Sequence, residues 1–399
     1  MKKKVIVGLS GGVDSSVAAW LLKEQGYEVE GIFMINWHDN RGLLKGNCPF
    51  DEDITFAEMV ARRLKIKLRT ADLSADYRTR VVDYMFSEYE RGRTPNPDIL
   101  CNREIKFDSF VREALNHGAD LIATGHYCRT EVIENEGQKI TRLLAGVDHN
   151  KDQSYFLCQV SQRQLENVIF PVGVLTKPEV RKIAVDLGLA TADRKDSQGI
   201  CFVGKVDLPV FLQQKLKAKT GRVVIIQDTT HFRSWPDGLP EKDAALSDLG
   251  LMTAPHEMDQ SEGLTVGKHS GAHYFTVGQR KGLNIGGFRE PLFVISTDTD
   301  SNIVFVGEGQ EHAGLYRKGL LVKAQEIHWI RPDKAMNAGE CRDYLVRIRY
   351  RQPLQRARIF ALEAGYYIIF EKPQRGITPG QFAAWYDGEE LLGSGVIDR

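Results

Sequence analysis

The sequence predicts an α/β protein with a doubly wound parallel sheet over residues 1–204, a small central domain over 205–290 and a C-terminal β-barrel over 291–399. Short β-branched runs alternate with amphipathic helical patterns through the first part of the chain, and the connections between them are short. Beyond residue 205 this alternation stops, and glycine, aromatic and β-branched residues follow. From Pro291 onward, short apolar segments are broken by Gly and Asp, a pattern typical of an antiparallel barrel or sandwich, of which we predict the barrel.

Composition limits the classes of function. The chain has 53 basic and 53 acidic residues, so its net charge is zero and any binding of RNA must depend on local patches. No run approaches the ~20 apolar residues of a membrane span, and we expect a cytosolic protein. The six cysteines stand at positions 48, 101, 128, 158, 201 and 341. They form no Cys-x-x-Cys pair, which argues against a structural zinc site or a dense disulfide framework.

The first strand and the first helix enclose the most informative loop. The apolar run Val5–Leu9 predicts a buried strand, and the residues from Val17 onward recur at helical spacing. Between them, Ser10–Ser16 (SGGVDSS) offers two glycines, hydroxyl donors and a helix N-terminus, which together favour an anion. Two better-known phosphate loops, Walker A and the dinucleotide fingerprint, require motifs that this stretch lacks.

The loop resembles the Ser-Gly-Gly-x-Asp-Ser pyrophosphate loop (PP-loop) of ATP pyrophosphatases, enzymes similar to the adenine nucleotide α-hydrolases that split ATP between its α and β phosphates. This resemblance implies an ATP site formed by Gly8, Leu9, Ser10, Gly11, Gly12, Val13, Asp14 and Ser15. A carboxylate does not favour a phosphate, so the expected roles of Asp14 are to hold Mg²⁺ or to cap the helix.

The elements that follow extend the parallel sheet. We predict strands over Glu28–Trp37 and Lys67–Asp72, a strand running into a turn over Asp120–His126, and helices over Glu52–Leu64, Tyr77–Arg91 and Lys177–Leu189. Ligands of such sheets lie beyond the carboxyl ends of the strands. This rule brings the Ser10 loop, Met34 and the turn at Gly125 and His126 to one crevice.

Two cysteines lie in segments that favour chemistry. The segment Gly92–Phe107 contains two prolines, which fix the backbone and forbid a helix around them. We therefore predict a rigid loop there, followed by a helix that begins at Cys101 and continues through Leu115. Arg103 and Lys106 favour a lowered pKa of the Cys101 thiol, although a packed cysteine beside a proline turn is an equally good interpretation. Asp98 is placed to transfer a proton. For Cys201, Lys195 favours a thiolate, whereas burial beside its apolar neighbours opposes one.

The run Tyr344–Arg358 supplies a candidate RNA-binding surface. As a strand it places Arg347, Arg349 and Arg351 on one face and Val346, Ile348 and Tyr350 on the other. Such an arginine stripe suits a phosphate backbone, with Lys268, Arg280 and Lys281 in the same half of the chain. The alternative interpretation is a solvated outer face of the barrel.

Six motifs in register resemble those of the tRNA-specific 2-thiouridylases, the MnmA family. They are Ser10–Ser16, Gly92–Phe107, Ala123–Tyr127, Lys151–Leu157, Lys195–Phe202 and Tyr274–Gly287. The resemblance spans nearly the whole chain. It implies that ATP adenylates the carbonyl oxygen at carbon 2 of the wobble uridine in lysine, glutamate and glutamine tRNAs, with Mg²⁺ offsetting phosphate charge. A cysteine persulfide then delivers sulfur, and AMP and pyrophosphate are released.

The resemblance also implies the role of each site residue. Cys201 would carry the persulfide, Cys101 would be the nucleophile that resolves it through a transient Cys101–Cys201 disulfide, and Asp98 would act in acid–base chemistry. Met34 and Gly125 would complete the ATP site. The target base would contact Asn96, Pro97 and Asp98. The positions matching tRNA contacts are His126, Lys151, Asp152, Gln153, Arg349, Tyr350 and Gln381.

The tract 222–268, the expected partners and the alternative functions complete the predictions from the sequence. Residues 222–268, including the tract His231–Glu262, are longer and more divergent than the short connection expected here, and we interpret this insertion as an elaborated surface loop. The expected partners are tRNA and a sulfur-donor protein, either a cysteine desulfurase or a relay carrier. The cysteine spacing gives no support to an iron–sulfur cluster. The alternatives are an ATP-splitting enzyme that delivers nitrogen, which needs no cysteine pair, and an RNA-binding protein whose nucleotide loop only regulates affinity.

Overall fold

The computed structural model describes residues 2–38, 49–195, 208–227, 229–230 and 232–399. The helices are α1 Val13–Glu24, α2 Pro49–Leu64, α3 Ser74–Tyr77, α4 Asp83–Glu90, α5 Pro97–Cys101, α6 Phe110–Asn116, α7 Gln162–Leu165, α8 Lys177–Asp186, α9 Leu208–Leu212 and α10 Leu246–Thr253. Two π-helical segments, Arg78–Val82 and Asn102–Ser109, join α3 to α4 and α5 to α6. None of the helices in these ranges has the length and apolar character to cross a bilayer.

Seventeen strands form three sheets within the described ranges. They are β1 Lys4–Gly8, β2 Glu28–Ile35, β3 Lys67–Asp72, β4 Leu121–Ala123, β5 Cys128–Asn135, β6 Gln138–Ala145, β7 Val168–Ile169, β8 Gly221–Ile225, β9 Leu264–His269, β10 Leu292–Asp298, β11 Ile303–Glu308, β12 Tyr316–Trp329, β13 Cys341–Arg347, β14 Gln355–Leu362, β15 Gly365–Arg375, β16 Phe382–Asp387 and β17 Glu390–Ile397.

The N-terminal sheet confirms the predicted doubly wound fold. Its five strands are parallel and lie in the order β3-β2-β1-β4-β7. The buried apolar residues of β1 continue into Leu9, and the Ser10 loop follows at the carboxyl end of the strand. Met34 in β2 and the turn after β4 lie at the same end of the sheet, as this topology requires.

The helix that carries Cys101 begins earlier than the sequence predicts. Pro97 is its first residue and the side chain of Asn96 caps it, so Cys101 closes the first α-helical segment instead of opening the helix. The prediction that the prolines forbid a helix here is wrong, because proline is well accommodated in the first helical turn, where its missing N–H group would have no partner anyway.

The second sheet has the strand order β10-β11-β8-β9, in which β8 lies parallel to β11. Its strands come from both sides of the predicted boundary between residues 290 and 291. The three predicted domain ranges stay a prediction.

A third sheet closes into the C-terminal barrel. The six strands β12, β15, β14, β13, β16 and β17 follow one another, and pairing of β12 with β17 closes the ring. The core includes the fully buried side chains of Trp385 and Phe370. The hairpin β5–β6, which lies early in the chain, extends this sheet through Leu143 and Leu144, which pair with Leu391 and Glu390 of β17.

The insertion is more than the predicted surface loop. Its helix α10 packs on the outside of the barrel, where Leu249 joins a buried cluster with Leu321, Phe360, Tyr367 and Ile369. Lys318 Nζ of β12 donates hydrogen bonds of 2.6 and 2.8 Å to the carbonyls of Pro236 and Gly238, which fastens the tract to the barrel wall.

The predicted arginine stripe is wrong. Strand β13 ends at Arg347, and residues 348–354 form the turn into β14, in which the side chain of Gln352 accepts a hydrogen bond from the N–H of Ile348. Arg347 is buried and donates to Asp152 at 2.9 Å, whereas Arg351 is exposed. Because the chain turns after Arg347, the three arginines do not share one strand face.

Candidate active site

The Ser10 loop is held open by its own hydroxyl groups. Ser15 Oγ accepts a hydrogen bond from the N–H of Ser10 at 3.2 Å and donates to the carbonyl of Gly12 at 3.1 Å. Ser16 Oγ donates to the same carbonyl at 2.7 Å. Gly12 is the cap residue of α1 and provides no side-chain cap, so the first-turn N–H groups can face an anion.

Gly11 shows why this loop needs glycine. Its φ is +73°, and a Cβ at this position would lie 2.2 Å from the carbonyl oxygen of Asp53. Arg194 donates to the carbonyl of Gly11 at 2.8 Å, pairs with Asp53 at 2.8 Å and lies over the ring of Phe56. Burial raises the pKa of Asp53, and Arg194 acts in the opposite direction. Arg194 therefore ties the loop to α2.

Asp14 is engaged by two side chains that the sequence analysis did not single out. Lys177 Nζ lies 2.7 and 2.9 Å from its two carboxylate oxygens, and the hydroxyl of Tyr127 donates to Oδ1 at 2.7 Å. A lysine thus occupies the place expected for a cation. Throughout the ranges described, no group of three His, Cys, Asp or Glu residues suits a metal ion. The contacts of Asp14 do not fit a magnesium ion held by the protein, and they do not support the predicted Mg²⁺ role.

The other predicted nucleotide residues converge on this loop. A Cβ on Gly125 would lie 2.6 Å from the backbone nitrogen of Ser15, so the turn after β4 touches the start of α1. A Cβ on Gly8 would lie 3.2 Å from Met34 Cε. The side chains of Leu9 and Val13 are buried in the core, so only their backbone atoms can face a nucleotide.

The barrel holds the loop predicted to contact the target base. Gln381 Nε2 donates to the carbonyls of Thr94 and Pro95 at 2.9 and 3.1 Å, and its Oε1 accepts from Asn96 at 3.3 Å. Asn96 in turn accepts a hydrogen bond from the N–H of Ile99 at 3.3 Å, which fixes the start of α5. Gln381 therefore positions the loop from behind.

Cys101 lies in an apolar setting and is fully buried, in a cluster that includes Ile99 and Phe107. The two cations expected beside it have other partners. Arg103 pairs with Glu104 at 2.6 Å, and Lys106 Nζ lies 3.5 Å from His126 Nε2. Cys201 lies outside the described residues, so its predicted partnership with Cys101 stays a prediction, as does the acid–base role of Asp98.

Three of the residues predicted to contact tRNA face inward. His126 is buried, with Nδ1 lying 2.7 Å from Thr124 Oγ1, and burial together with the charge of Lys106 holds the pKa of the imidazole well below its usual range. Asp152 is also buried and pairs with Arg347. Gln153 accepts a hydrogen bond from the N–H of Tyr127 at 3.0 Å. These contacts brace the nucleotide turn against the barrel.

Arg349, Tyr350 and Lys151 form one edge of the same region. Arg349 donates to the carbonyl of Gly376, and its burial and the nearby Arg375 lower its pKa. The ring of Tyr350 lies 4.4 Å from that of Phe156, and its hydroxyl is 3.4 Å from the carbonyl of Lys151. Arg349, Tyr350 and Lys151 are partly exposed.

Lys177, Tyr127 and Arg194 are the functional candidates that sequence reasoning missed. The Thr176–Glu179 capping box marks the start of α8, but nothing local indicates that Lys177 reaches a loop 163 residues earlier. For Tyr127 a signal existed, because it follows directly after the turn expected at the crevice.

Comparison with protein families divides the chain into three matched segments. Residues 3–205 match the tRNA methyl transferase HUP domain, 253–308 the tRNA methyl transferase PRC-barrel domain, and 319–397 the aminomethyltransferase β-barrel domain. The first match covers the parallel sheet and the Ser10 loop, and the third covers the closed barrel.

Curated relatives match over nearly the full chain, and each is named tRNA-specific 2-thiouridylase MnmA. The relative from Christiangramia forsetii is 55% identical over 99% of this chain and 100% of its own. That from Flavobacterium johnsoniae is 54% identical over the same shares, and that from Pseudomonas putida is 45% identical over 100% of this chain and 95% of its own. With this identity across all three matched segments, the chain belongs to the tRNA-specific 2-thiouridylase MnmA family.

Proposed function

We propose that this protein is an ATP-dependent tRNA sulfurtransferase that replaces the oxygen at carbon 2 of the wobble uridine with sulfur. One observation supports it most: the helix that carries Asp98 and Cys101 runs directly past the nucleotide loop. The helical stretch continues from α5 through the π-helical segment into α6, where Phe110 packs with Met34 and would lie 3.5 Å from a Cβ on Gly8; Lys106 of the same stretch approaches His126, next to Gly125. We infer that the nucleotide and the Cys101 thiol act at one crevice, and the names of the relatives support tRNA as the substrate.

In the first stage, the uridine oxygen attacks the α-phosphorus of ATP and pyrophosphate leaves. The Ser10 loop and the N-terminus of α1 would hold the leaving pyrophosphate through backbone N–H groups. The uridine must leave its stack to reach the loop at Asn96, Pro97 and Asp98. Asp98 is half-buried on the first turn of α5, where it can accept or return a proton.

In the second stage, the terminal sulfur of a persulfide on Cys201 attacks carbon 2, and AMP leaves with the original oxygen. Cys101 then attacks the Cys201 sulfur, which leaves the outer sulfur on the base as a thiocarbonyl. The two cysteines are oxidised to a disulfide while the transferred sulfur is reduced, so the electrons balance. A cysteine desulfurase or a relay carrier would supply the persulfide, and a reductant must reopen the disulfide.

The direct test is sulfur incorporation into unmodified tRNA, resolved on a mercury-containing gel. Reactions contain ATP, Mg²⁺, a cysteine desulfurase and free cysteine, and parallel reactions omit ATP. We expect a retarded tRNA band that requires ATP, and we expect pyrophosphate to be released in the same reactions. Cleavage of ATP to AMP with no retarded band for lysine, glutamate or glutamine tRNA would contradict the proposal and favour nitrogen transfer.

Replacing Lys177 with methionine is expected to weaken the use of ATP by about 10- to 100-fold in kcat/KM. The change leaves the Asp14 carboxylate, which is 31% exposed, without its cation beside the expected polyphosphate, and like charges repel. The KM for tRNA should stay the same. Steady-state pyrophosphate release at varied ATP and varied tRNA measures both values.

Two further variants separate charge from packing at this site. Lys177→Arg keeps the charge and should retain most of the activity. Asp14→Asn combined with Lys177→Met removes both charges, and the double variant should recover part of the ATP affinity lost in Lys177→Met. Equal ATP parameters for Lys177→Met and the wild type would show that the ion pair has no part in nucleotide binding.

Replacing Gln381 with alanine is expected to raise the KM for tRNA or lower kcat by about 10-fold, since it removes the three hydrogen bonds that position the 94–96 loop. Gln381→Glu, which loses the donors but keeps the size, should resemble the alanine variant. Gln355→Ala is a matched control, because the hydrogen bond that the Gln355 side chain makes among the described residues goes to the carbonyl of nearby Pro353. The idea fails if tRNA kinetics of Gln381→Ala equal those of Gln355→Ala while both variants remain folded.

A further inference from the structure

Three arginines are buried among the described residues, and the fold treats one of them differently. Arg331 pairs with Asp333 and Glu390, and Arg347 pairs with Asp152. Arg317, which is only 8% exposed, has no carboxylate partner in the described part of the chain. A buried cation without a counter-ion is unfavourable, because burial removes its hydration and no opposite charge offsets the loss.

The known contacts of Arg317 satisfy the guanidinium only in part. Its Nη2 donates at 2.5 Å to the carbonyl of Thr253, the last residue of α10, where the helix dipole favours a cation. Within the described part of the chain, its Nε has no hydrogen-bond partner. Burial and the positive side chain of Arg399 lower the pKa of Arg317 to about 10, so the guanidinium is still charged at neutral pH. The site therefore carries excess positive charge.

Arg317 lines a partly open cavity of about 120 Å³, whose wall comes from six stretches of the chain, 92–94, 255–258, 275–277, 295–297, 314–317 and 377–379. Thr94 comes from the loop before α5, Ser296 and Thr297 from β10, and Thr378 from the barrel. A volume of this size holds several water molecules, and the hydroxyl groups of Thr94, Ser296 and Thr297 are potential donors to an anion, whereas Thr378 Oγ1 donates to the carbonyl of Gly376 at 3.0 Å. Apolar side chains and His256 complete the wall.

We propose that this cavity binds one phosphate-type oxyanion on Arg317, with the hydroxyl group of Thr94 beside it. The anion would supply the negative charge that Arg317 lacks, whereas carboxylates supply it to Arg331 and Arg347. A tetrahedral oxyanion suits the site because it accepts several hydrogen bonds from different directions. Inorganic phosphate is the source that fits a cavity of this volume; a phosphate of the tRNA backbone has the same chemistry and is the second source to test.

This site is independent of the proposed sulfur transfer, but it adjoins the base loop. Thr94 is one of the two residues whose carbonyls accept hydrogen bonds from Gln381, and it also lies 3.1 Å, hydroxyl to hydroxyl, from Thr276. An anion bridging Thr94 to Arg317 would add a further brace to this loop. The site thus has a structural consequence that binding measurements can detect without any assay of activity.

The test uses the full chain in a phosphate-free and sulfate-free buffer at constant ionic strength. Thermal unfolding is followed while sodium phosphate replaces sodium chloride, and direct titration calorimetry with phosphate gives the dissociation constant. We expect the melting temperature of the wild type to rise with phosphate and to saturate. Arg317→Met should lose the calorimetric signal or weaken binding at least about tenfold, whereas Arg62→Met, a change at an exposed arginine of α2, should bind as the wild type does.

The stability of the variants without phosphate provides a second readout. Arg317→Met removes an unpaired buried charge, so it should be at least as stable as the wild type in chloride and become less stable only when phosphate is present. A third arm measures tRNA binding without phosphate: weakening by Arg317→Met but not by Arg62→Met, with no response to free phosphate, identifies the RNA backbone as the source. No response of the wild type to phosphate and unchanged tRNA binding in Arg317→Met would overturn the proposal.

Discussion

Replacing Cys101 with serine is expected to abolish sulfur transfer to tRNA, by about 10³-fold or more, while pyrophosphate release upon mixing with ATP and tRNA persists. The first stage needs the nucleotide loop and the base, and neither depends on the thiol. The second stage needs a sulfur nucleophile at the end of α5, and a serine hydroxyl neither cleaves a sulfur–sulfur bond nor forms a disulfide. The gel assay for sulfur and a pyrophosphate assay measure the two stages separately.

The matched control is Cys128→Ser. Cys128 is as fully buried as Cys101, and burial holds the pKa of its thiol well above the usual range, so it is a poor nucleophile. Both substitutions bury a hydroxyl and carry a similar folding penalty, but only the one at Cys101 should stop sulfur transfer. A normal rate of thiolation by Cys101→Ser would remove Cys101 from the mechanism.

Substituting Gly125 with alanine is expected to lower ATP affinity by about 100-fold and to destabilise the fold by about 1–3 kcal/mol. The new Cβ would lie 2.6 Å from the backbone nitrogen of Ser15 and 2.8 Å from the carbonyl carbon of Asp14. Both are backbone atoms, so no change of rotamer relieves the contact. Either the turn or the start of α1 must move, and the first-turn N–H groups move with it.

Gly250→Ala is the control for Gly125→Ala. A Cβ on Gly250, within α10, meets nothing within 4 Å, so this variant should bind ATP as the wild type does and unfold at the same temperature or higher. Equilibrium nucleotide binding and thermal unfolding of both variants decide the matter. If the two alanine variants bind ATP equally well, Gly125 has no part in shaping the site.

The parts of the fold that depend on local patterns were predictable. Strand β3 has the predicted bounds Lys67–Asp72, because its alternation and its flanking residues are local signals. The Ser10 loop and its place after β1 were predictable for the same reason. The start of α5 was not predicted correctly. Two prolines close together indicate a break in a helix, but Pro97 occupies the first helical turn, where proline is acceptable.

Contacts between distant segments account for the rest. The sequence around Lys177 predicts a helix, but its ion pair with Asp14 depends on how α8 packs against α1. The arginine alternation after Tyr344 indicated a longer strand, whereas the buried pair between Arg347 and Asp152 and the following turn decide where the strand ends. Contacts of this kind join residues far apart in the sequence, so the local sequence pattern does not predict them.

The hairpin β5–β6 has a consequence for how the chain is made. It projects from the part of the molecule that holds the nucleotide loop, but the strand that covers its edge is β17, and Arg142 and Glu390, which form an ion pair across this junction, are 248 residues apart. During synthesis on the ribosome, the edge of β6 stays unpaired until β17 has been synthesised and can bind to it. We therefore expect fragments that stop before β17 to aggregate, and the complete chain to depend on chaperones until the barrel closes.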